Sequence, residues 1–211
     1  MSSVRRVVTA SPHRRVGFIS SPWFQPYQIE YESLLERDFV RLALLDLGVS
    51  SISHQPFQVE LDESHSYTPD FLLTGRNLRL VVEVKPEERA NKPTTADGLR
   101  QAKKILNLQG YEFLIASETL IRANKRHERA AILLRHARAH LPCPVIVETL
   151  RVAALSSDGI SIGALASTAG VPISTVLHLI GRRRLRLNSI LNFDASQTVY
   201  PVGDENGHLC A

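Results

Sequence analysis

The sequence predicts a mixed α/β core followed by a smaller helical domain. Three patterns carry this expectation. A short apolar hairpin spans Tyr67 to Lys85, helical stripes lie on either side of it, and prolines at 142 and 144 precede a stretch with helical periodicity. With 211 residues, 44% of them hydrophobic, the chain can bury a core of ordinary size and still build a small second domain.

The elements follow in order. Residues 1–20 hold Arg5, Arg6, Arg14 and Arg15 and no acid, and read as a basic N-terminal arm. Residues 30–47 read as an amphipathic helix, because Leu35, Phe39, Leu42 and Leu45 recur near three- and four-residue spacing. Ser33 is its expected N-cap, Glu36 holds the capping-box position, and Gly48 stops it. Tyr67 to Leu73 is one strand, Gly75-Arg76-Asn77 the turn, and Leu78 to Lys85 the returning strand. Pro86 to Thr95 is a polar loop, and Ala96 to Leu108 a helix with Leu99, Ala102, Ile105 and Leu106 on one side. Tyr111 to Ala116 is a further strand. A long helix is expected over Glu118 to His140, where Arg122, Lys125, Arg126, Arg129, Arg135 and Arg138 crowd together with Glu128 as the one nearby acid.

Leu141-Pro142-Cys143-Pro144 is the expected domain boundary, since two closely spaced prolines stop a helix and stiffen the connection. Val145 to Leu155 then reads as a helix. Ile162 to Ala169, the Gly170-Val171-Pro172 turn and Ile173 to Ile180 form a helix-turn-helix pattern, read as winged-helix-like. In that reading Ser174, Thr175 and His178 face outward, and Arg182, Arg183 and Arg184 lead into a wing and contact phosphate. Residues 141–211 carry five arginines against five acids, so a protein partner suits this domain as well as DNA does. Phe193 to Ala211 reads as a terminal wing or docking tail.

The chemistry concentrates in the hairpin. Alternation puts Leu80, Val82 and Val84 on one face and Val81, Glu83 and Lys85 on the other, with Asp70 about opposite Glu83. Two carboxylates, a main-chain carbonyl and waters suit a hard cation such as magnesium. Phosphodiester hydrolysis adds negative charge to an anionic phosphate, so bound cations stabilise it and help generate hydroxide. Lys85 would orient the water or neutralise charge. An isolated Glu-x-Lys usually describes the solvent face of an edge strand; here it ends an apolar strand across one turn from Pro69-Asp70, which points to a metal-dependent nuclease site. Glu36 is a further candidate carboxylate, although capping competes for the same oxygens.

Four segments together resemble a known family. Ser33-Leu34-Leu35-Glu36-Arg37-Asp38-Phe39, His54-Gln55-Pro56-Phe57, Tyr67-Thr68-Pro69-Asp70-Phe71-Leu72 and Val82-Glu83-Val84-Lys85-Pro86 occur in the order found in the TnsA endonucleases of heteromeric cut-and-paste transposons. The resemblance covers roughly residues 20–120. With the winged-helix-like domain read from the helix-turn-helix pattern assigned to 142–211, it implies a restriction-endonuclease-like nuclease domain, assigned to 21–141. It also implies catalysis by Glu36, Asp70, Glu83 and Lys85, with magnesium, or manganese in its place, held by Asp70, Glu83, Glu36 and the Val84 carbonyl. Ser53-His54 departs from the Arg-Glu that often precedes the Gln in the family, leaving Gln55 a supporting candidate. The implied activity is cleavage at the transposon 5′ ends, beside a DDE transposase, TnsB, and an ATPase, TnsC. The DNA contacts expected are Arg182, Arg183, Arg184, Arg126 and Arg129. A stand-alone restriction or repair nuclease, and a catalytically inactive DNA-binding or assembly protein, are the alternatives.

Composition narrows the classes. A net charge of +4 and a pI near 9.3 permit nucleic-acid binding without requiring it. Two cysteines, Cys143 and Cys210, build neither a disulfide framework nor a four-ligand zinc site, and the eight histidines show no ligand spacing. No apolar run approaches a membrane span, and the first 20 residues lack the apolar block of a secretory signal. The expected setting is the bacterial cytoplasm.

Overall fold

A computed structural model describes residues 16–203. Arg5, Arg6, Arg14, Arg15 and Cys210 lie outside the described residues, as does the end of the C-terminal stretch from 204. Contacts divide the chain into two compact units, Met1–Ala123 and Asn124–Ala211. Among the described residues no single helix is long and apolar enough to cross a membrane.

The N-terminal unit runs β1 (Gly17–Ile19), β2 (Ile29–Tyr31), α1 (Leu34–Ala43), β3 (Ser51–His54), β4 (Val59–Glu60), β5 (Ser66–Tyr67), β6 (Phe71–Gly75), β7 (Leu78–Val84), α2 (Glu87–Ala90), α3 (Pro93–Leu108), β8 (Glu112–Ala116) and α4 (Glu118–Arg122). Its main sheet has the order β3-β6-β7-β8. The first three strands are antiparallel neighbours and β8 joins β7 in parallel, so the sheet is mixed and the fold mixed α/β, as the sequence predicts. The parallel pair needs a crossover, which α2 and α3 supply.

The hairpin register sets the site. Leu72 lies opposite Val81 and Phe71 opposite Val82, across a two-residue turn at Arg76-Asn77. Leu72 and Val81 bury against Leu106 of α3 and Val59, with Phe57, Tyr67 and Phe113 packed around them. Each buried aliphatic contributes roughly 1.5–3 kcal/mol. Two residues beyond Val81 the same face of β7 carries Glu83, and Asp70 lies just ahead of β6 on the neighbouring chain segment.

Several sequence expectations change in this unit. The polar loop expected over Pro86 to Thr95 holds α2 and the first residues of α3, which starts at Pro93. Helix α1 ends at Ala43, ahead of the expected Gly48 stop. The strand expected over Tyr67 to Leu73 is interrupted at Thr68 to Asp70, because Tyr67 pairs with Val59 in a separate ladder and Pro69 has no N–H to give. Residues 29–31 are strand, so the helix starts only after its Ser33 cap. Residues 17–19, placed by the sequence in the basic arm, form β1 and pair with β2.

The helix α1 anchors the unit through an unexpected residue. Asp38 is only 2% exposed and accepts from Arg37 (2.9 Å), Arg41 (3.5 Å) and Arg122 at the end of α4 (3.3 Å). A buried carboxylate persists only when paired in this way. Arg122, one of the arginines crowded along this stretch of the sequence, is therefore part of this cluster.

The second unit comprises α5 (Arg126–Ala137), α6 (Cys143–Ala154), β9 (Ile160–Ser161), α7 (Ile162–Thr168), α8 (Ile173–Gly181), β10 (Leu185–Arg186) and β11 (Thr198–Pro201). The helix expected over Glu118 to His140 is broken, since Asn124 and Lys125 adopt left-handed φ of 50° and 57° and end α4 before α5 begins. That break, rather than the prolines, is where the contacts divide. Pro142 and Pro144 instead occupy the N-cap and first turn of α6, where a missing N–H costs nothing. Helix α5 packs along α8, and Gly181 permits the close approach: a Cβ there would run into the Leu133 carbonyl. The strands form a small sheet, β10-β11-β9, so residues 198–201 pair within the unit rather than trailing as a tail.

Two outward-facing expectations in α8 are corrected. Thr175 and His178 are buried, 4% and 3% exposed, and His178 Nδ1 lies 3.1 Å from the His136 carbonyl; only Ser174 is exposed. Thr175 to Gly181 are buried throughout, which makes α8 the central helix of its unit.

Candidate active site

Asp70 and Glu83 meet at the open end of the β6–β7 hairpin. Asp70 lies just before β6, where the Gln55 N–H donates to its carbonyl (2.8 Å), and its Oδ2 accepts the Val84 N–H (2.7 Å). Glu83 is 5% exposed, with Oε2 accepting the Tyr67 hydroxyl (2.8 Å) and Oε1 2.6 Å from Lys85 Nζ. The Lys85 side chain keeps 29% of its surface exposed. The Lys85 N–H donates to the Ala116 carbonyl (3.2 Å), which ties the lysine to the parallel strand β8.

Glu36 comes from α1 and caps it. Its N–H donates to Ser33 Oγ (3.1 Å), its Oε1 accepts the Ser33 hydroxyl (2.8 Å), and its Oε2 accepts the Glu32 N–H (2.7 Å). This reciprocal arrangement satisfies N-terminal donors that would otherwise be lost. Both Glu36 oxygens therefore serve the helix terminus here. Gln55 has a positive φ of 38°, and its amide donates to Glu32 Oε1 (3.2 Å). A shallow pocket lined by Glu32, Glu36, His54, Gln55, Asp70 and Phe71 brings the helix and hairpin contributions together.

Electrostatics mark this as an anionic cluster. Burial, with the Glu83 and Glu36 charges, pushes Asp70 up to about 8, outweighing the Val84 N–H and Lys85, which pull it down. Glu36 is also raised, by burial first. Tyr67 is held well above the usual phenol range by burial and by Glu83, which keeps its hydroxyl a donor. Burial lowers His54 despite the Glu30 carboxylate 3.6 Å away.

A hard divalent cation fits this donor chemistry. Two buried carboxylates that repel each other, joined by a main-chain carbonyl at Val84, are the oxygen set such an ion takes. Among the described residues no three His, Cys, Asp or Glu side chains already stand as a ligand group, and Glu83 is held by Tyr67 and Lys85.

Two contributors were not singled out from the sequence. Tyr67 holds Glu83 although β5 belongs to a separate ladder, a contact no spacing along the chain encodes. Glu32, four residues before Glu36, had a readable signal in its place next to the cap. In the second unit, Arg182 Nε donates to the Ala137 carbonyl (2.8 Å) and Arg129 Nη1 to the Asn124 (2.7 Å) and Ile190 (3.0 Å) carbonyls. Those two arginines thus support main chain. Arg183 has a left-handed φ of 62°.

No curated protein matches the chain. Residues 46–118 match the family model of the TnsA-like endonuclease N-terminal domain, a stretch holding Asp70, Glu83, Val84 and Lys85 but not Glu36. That match covers the segment in which the hairpin carboxylates and lysine converge, and makes this part of the chain similar to the TnsA-like endonuclease N-terminal domain.

Proposed function

We propose that the chain is the metal-dependent DNA endonuclease subunit of a heteromeric transposase, cutting the strands at the transposon 5′ ends. The observation that carries this reading is the convergence of Asp70, Glu83 and Lys85 at one end of a hairpin inside the matched segment. Magnesium, or manganese in its place, would be held by Asp70, Glu83 and the Val84 carbonyl, with Glu36 assisting, and when bound supplies charge stabilisation and an activated water. The Val84 N–H keeps Asp70 oriented, and the Tyr67 hydroxyl holds Glu83. Lys85 positions the attacking water and offsets charge developing on the phosphate. The second unit, with its α7–α8 pair and small sheet, is read as winged-helix-like, with Arg126, Arg129, Arg182, Arg183 and Arg184 near DNA or a partner. The partners are transposon-end DNA, the TnsB transposase and the TnsC ATPase, in the bacterial cytoplasm.

The direct test is strand-resolved cleavage. The isolated chain is expected to cut linear DNA poorly, and addition of the cognate transposase with transposon-end DNA to produce 5′-strand cuts. Glu83→Ala should lose those cuts and leave 3′-strand processing by the partner intact. Rapid, end-independent cutting by the isolated chain would instead identify a stand-alone nuclease.

Metal binding has a separate readout in stability. An aspartate raised from 3.8 to about 8 on folding holds a proton in the native state that the unfolded chain has released. Stability is therefore lost as pH rises between about 4 and 8, and the full penalty remains above 8. Magnesium is expected to raise the wild-type Tm by roughly 5 °C at pH 8 and far less at pH 5. Asp70→Asn should raise the metal-free Tm at pH 8 and remove the magnesium response. Equal magnesium shifts in wild type and variant, measured by differential scanning fluorimetry, would count against Asp70 as a ligand.

A further inference from the structure

A second cavity in the N-terminal unit, of about 440 Å³, adjoins the catalytic pocket. Residues 24–28 form one wall and residues 50–54 the other, and His54 lines both cavities. The wall is built rather than incidental. Ile52 of β3 donates its N–H to Gln25 Oε1 (2.9 Å), and Gln25 Nε2 donates back to the Ile52 carbonyl (3.1 Å), so one side-chain amide completes the outer edge of β3 and fixes the loop against it. Gln25 Nε2 also reaches the Tyr27 carbonyl (3.2 Å).

The lining has a distinct chemistry. It contains no Lys, Arg, Asp or Glu among the described residues, while Phe24 and Tyr27 supply aromatic rings and Gln28, Ser50 and Ser53 supply neutral hydrogen-bonding groups. Tyr27 is 73% exposed, so its ring is accessible to a ligand, and the partly buried Phe24 lines the same wall. A cavity without Lys or Arg supplies no cationic side chain to neutralise a phosphate or carboxylate. It suits a flat, neutral ring with donors and acceptors on its edge, and its volume lies in the range of small-ligand sites.

We propose that this cavity binds a nucleobase of the strand being cut, stacked against Tyr27 and Phe24 and read on its edge by Gln28, Ser50 and Ser53. The proposal rests on the endonuclease reading for the identity of the strand. Aromatic stacking is tolerant of sequence because every base has a π-face, and it requires the base to be unpaired, at a flipped or frayed position. The shared His54 wall places that base near the phosphate addressed by Asp70 and Glu83. The cavity thereby positions DNA without contributing charge.

The test uses the full chain without divalent cation, and single-stranded oligonucleotides carrying 5-iodouracil or abasic positions. Photocrosslinking followed by mass spectrometry is expected to mark Tyr27 or Phe24. Tyr27→Ala should weaken binding of the normal oligonucleotide about tenfold by fluorescence anisotropy, since stacking on one ring contributes on the order of 1–3 kcal/mol per base. An abasic oligonucleotide should bind wild type and Tyr27→Ala equally. Ser50→Leu, which adds bulk at an exposed cavity position, should reproduce the loss without removing a ring. Crosslinks confined to other residues, an effect of Tyr27→Ala within twofold, or the same loss on abasic DNA would overturn the proposal. Strand cleavage by wild type in the transposase assembly is scored separately: cleavage with no Tyr27 effect rejects the cavity alone, and a Tyr27 crosslink with no cleavage upholds base binding while rejecting the endonuclease reading.

Discussion

Asp70→Ala is expected to reduce 5′-strand cleavage by at least about a thousandfold while the protein remains cooperatively folded. A group that acts with others at the reacting phosphate is not compensated by those that remain, so its loss falls on the chemical step. Folding should survive because the carboxylate is a liability in the metal-free protein: burial and the charges of Glu83 and Glu36 already disfavour its ionised form. The one bond lost is from the Val84 N–H, in a strand otherwise held on both sides. Lys85→Ala should also suppress cleavage but retain more metal affinity, since the lysine opposes rather than binds a cation. Cleavage assays paired with thermal melts and metal titration by calorimetry give the comparison. Wild-type cleavage by folded Asp70→Ala protein would refute the site.

Gly75→Ala is expected to cost about 3 kcal/mol and lower the Tm by roughly 10 °C or more, the upper range for overpacking against atoms that cannot move aside. Gly75 ends β6, and a Cβ there would run directly into the Gly48 carbonyl oxygen. The obstacle is main chain, so no rotamer relieves it. The Gly48 turn is itself pinned, by the Ser50 N–H donating to the Thr74 carbonyl (2.6 Å) and by the Ser51–Thr74 hydroxyl pair (2.6 Å). Relief would require β3 and β6 to separate. Differential scanning calorimetry of the full chain measures the cost, and an unchanged Tm would show that the turn moves freely.

Local pattern carried much of the N-terminal unit. The alternation in Leu78 to Lys85 placed Glu83 and Lys85 on one face with Asp70 about opposite, because strand periodicity is a local property. The turn read as Gly75-Arg76-Asn77 is instead the two residues Arg76-Asn77, with Gly75 pairing Leu78 inside the ladder. The Ser33 cap was legible for the same reason. Long helices were less secure: Glu118 to His140 has continuous helical composition, yet two left-handed residues, neither of them glycine, divide it. Outward faces were harder still in α8, where Thr175 and His178 are polar in type but buried by packing with α5.

The sequence by itself determined the hairpin, its carboxylate pair and lysine, the capped helix and the mixed α/β order, all of which rest on spacing over a few residues. Only the tertiary structure decided that Tyr67 holds Glu83, that Glu36 spends both oxygens on the start of α1, that Asp38 gathers three arginines, and that α5 belongs with α8. Tyr67 with Glu83, Arg122 with Asp38 and α5 with α8 join residues distant along the chain. At Glu36 the local cap position was legible, and only the structure decided that both oxygens stay on it. Which partner a buried polar group finds depends on what folding brings beside it, a quantity no local periodicity contains.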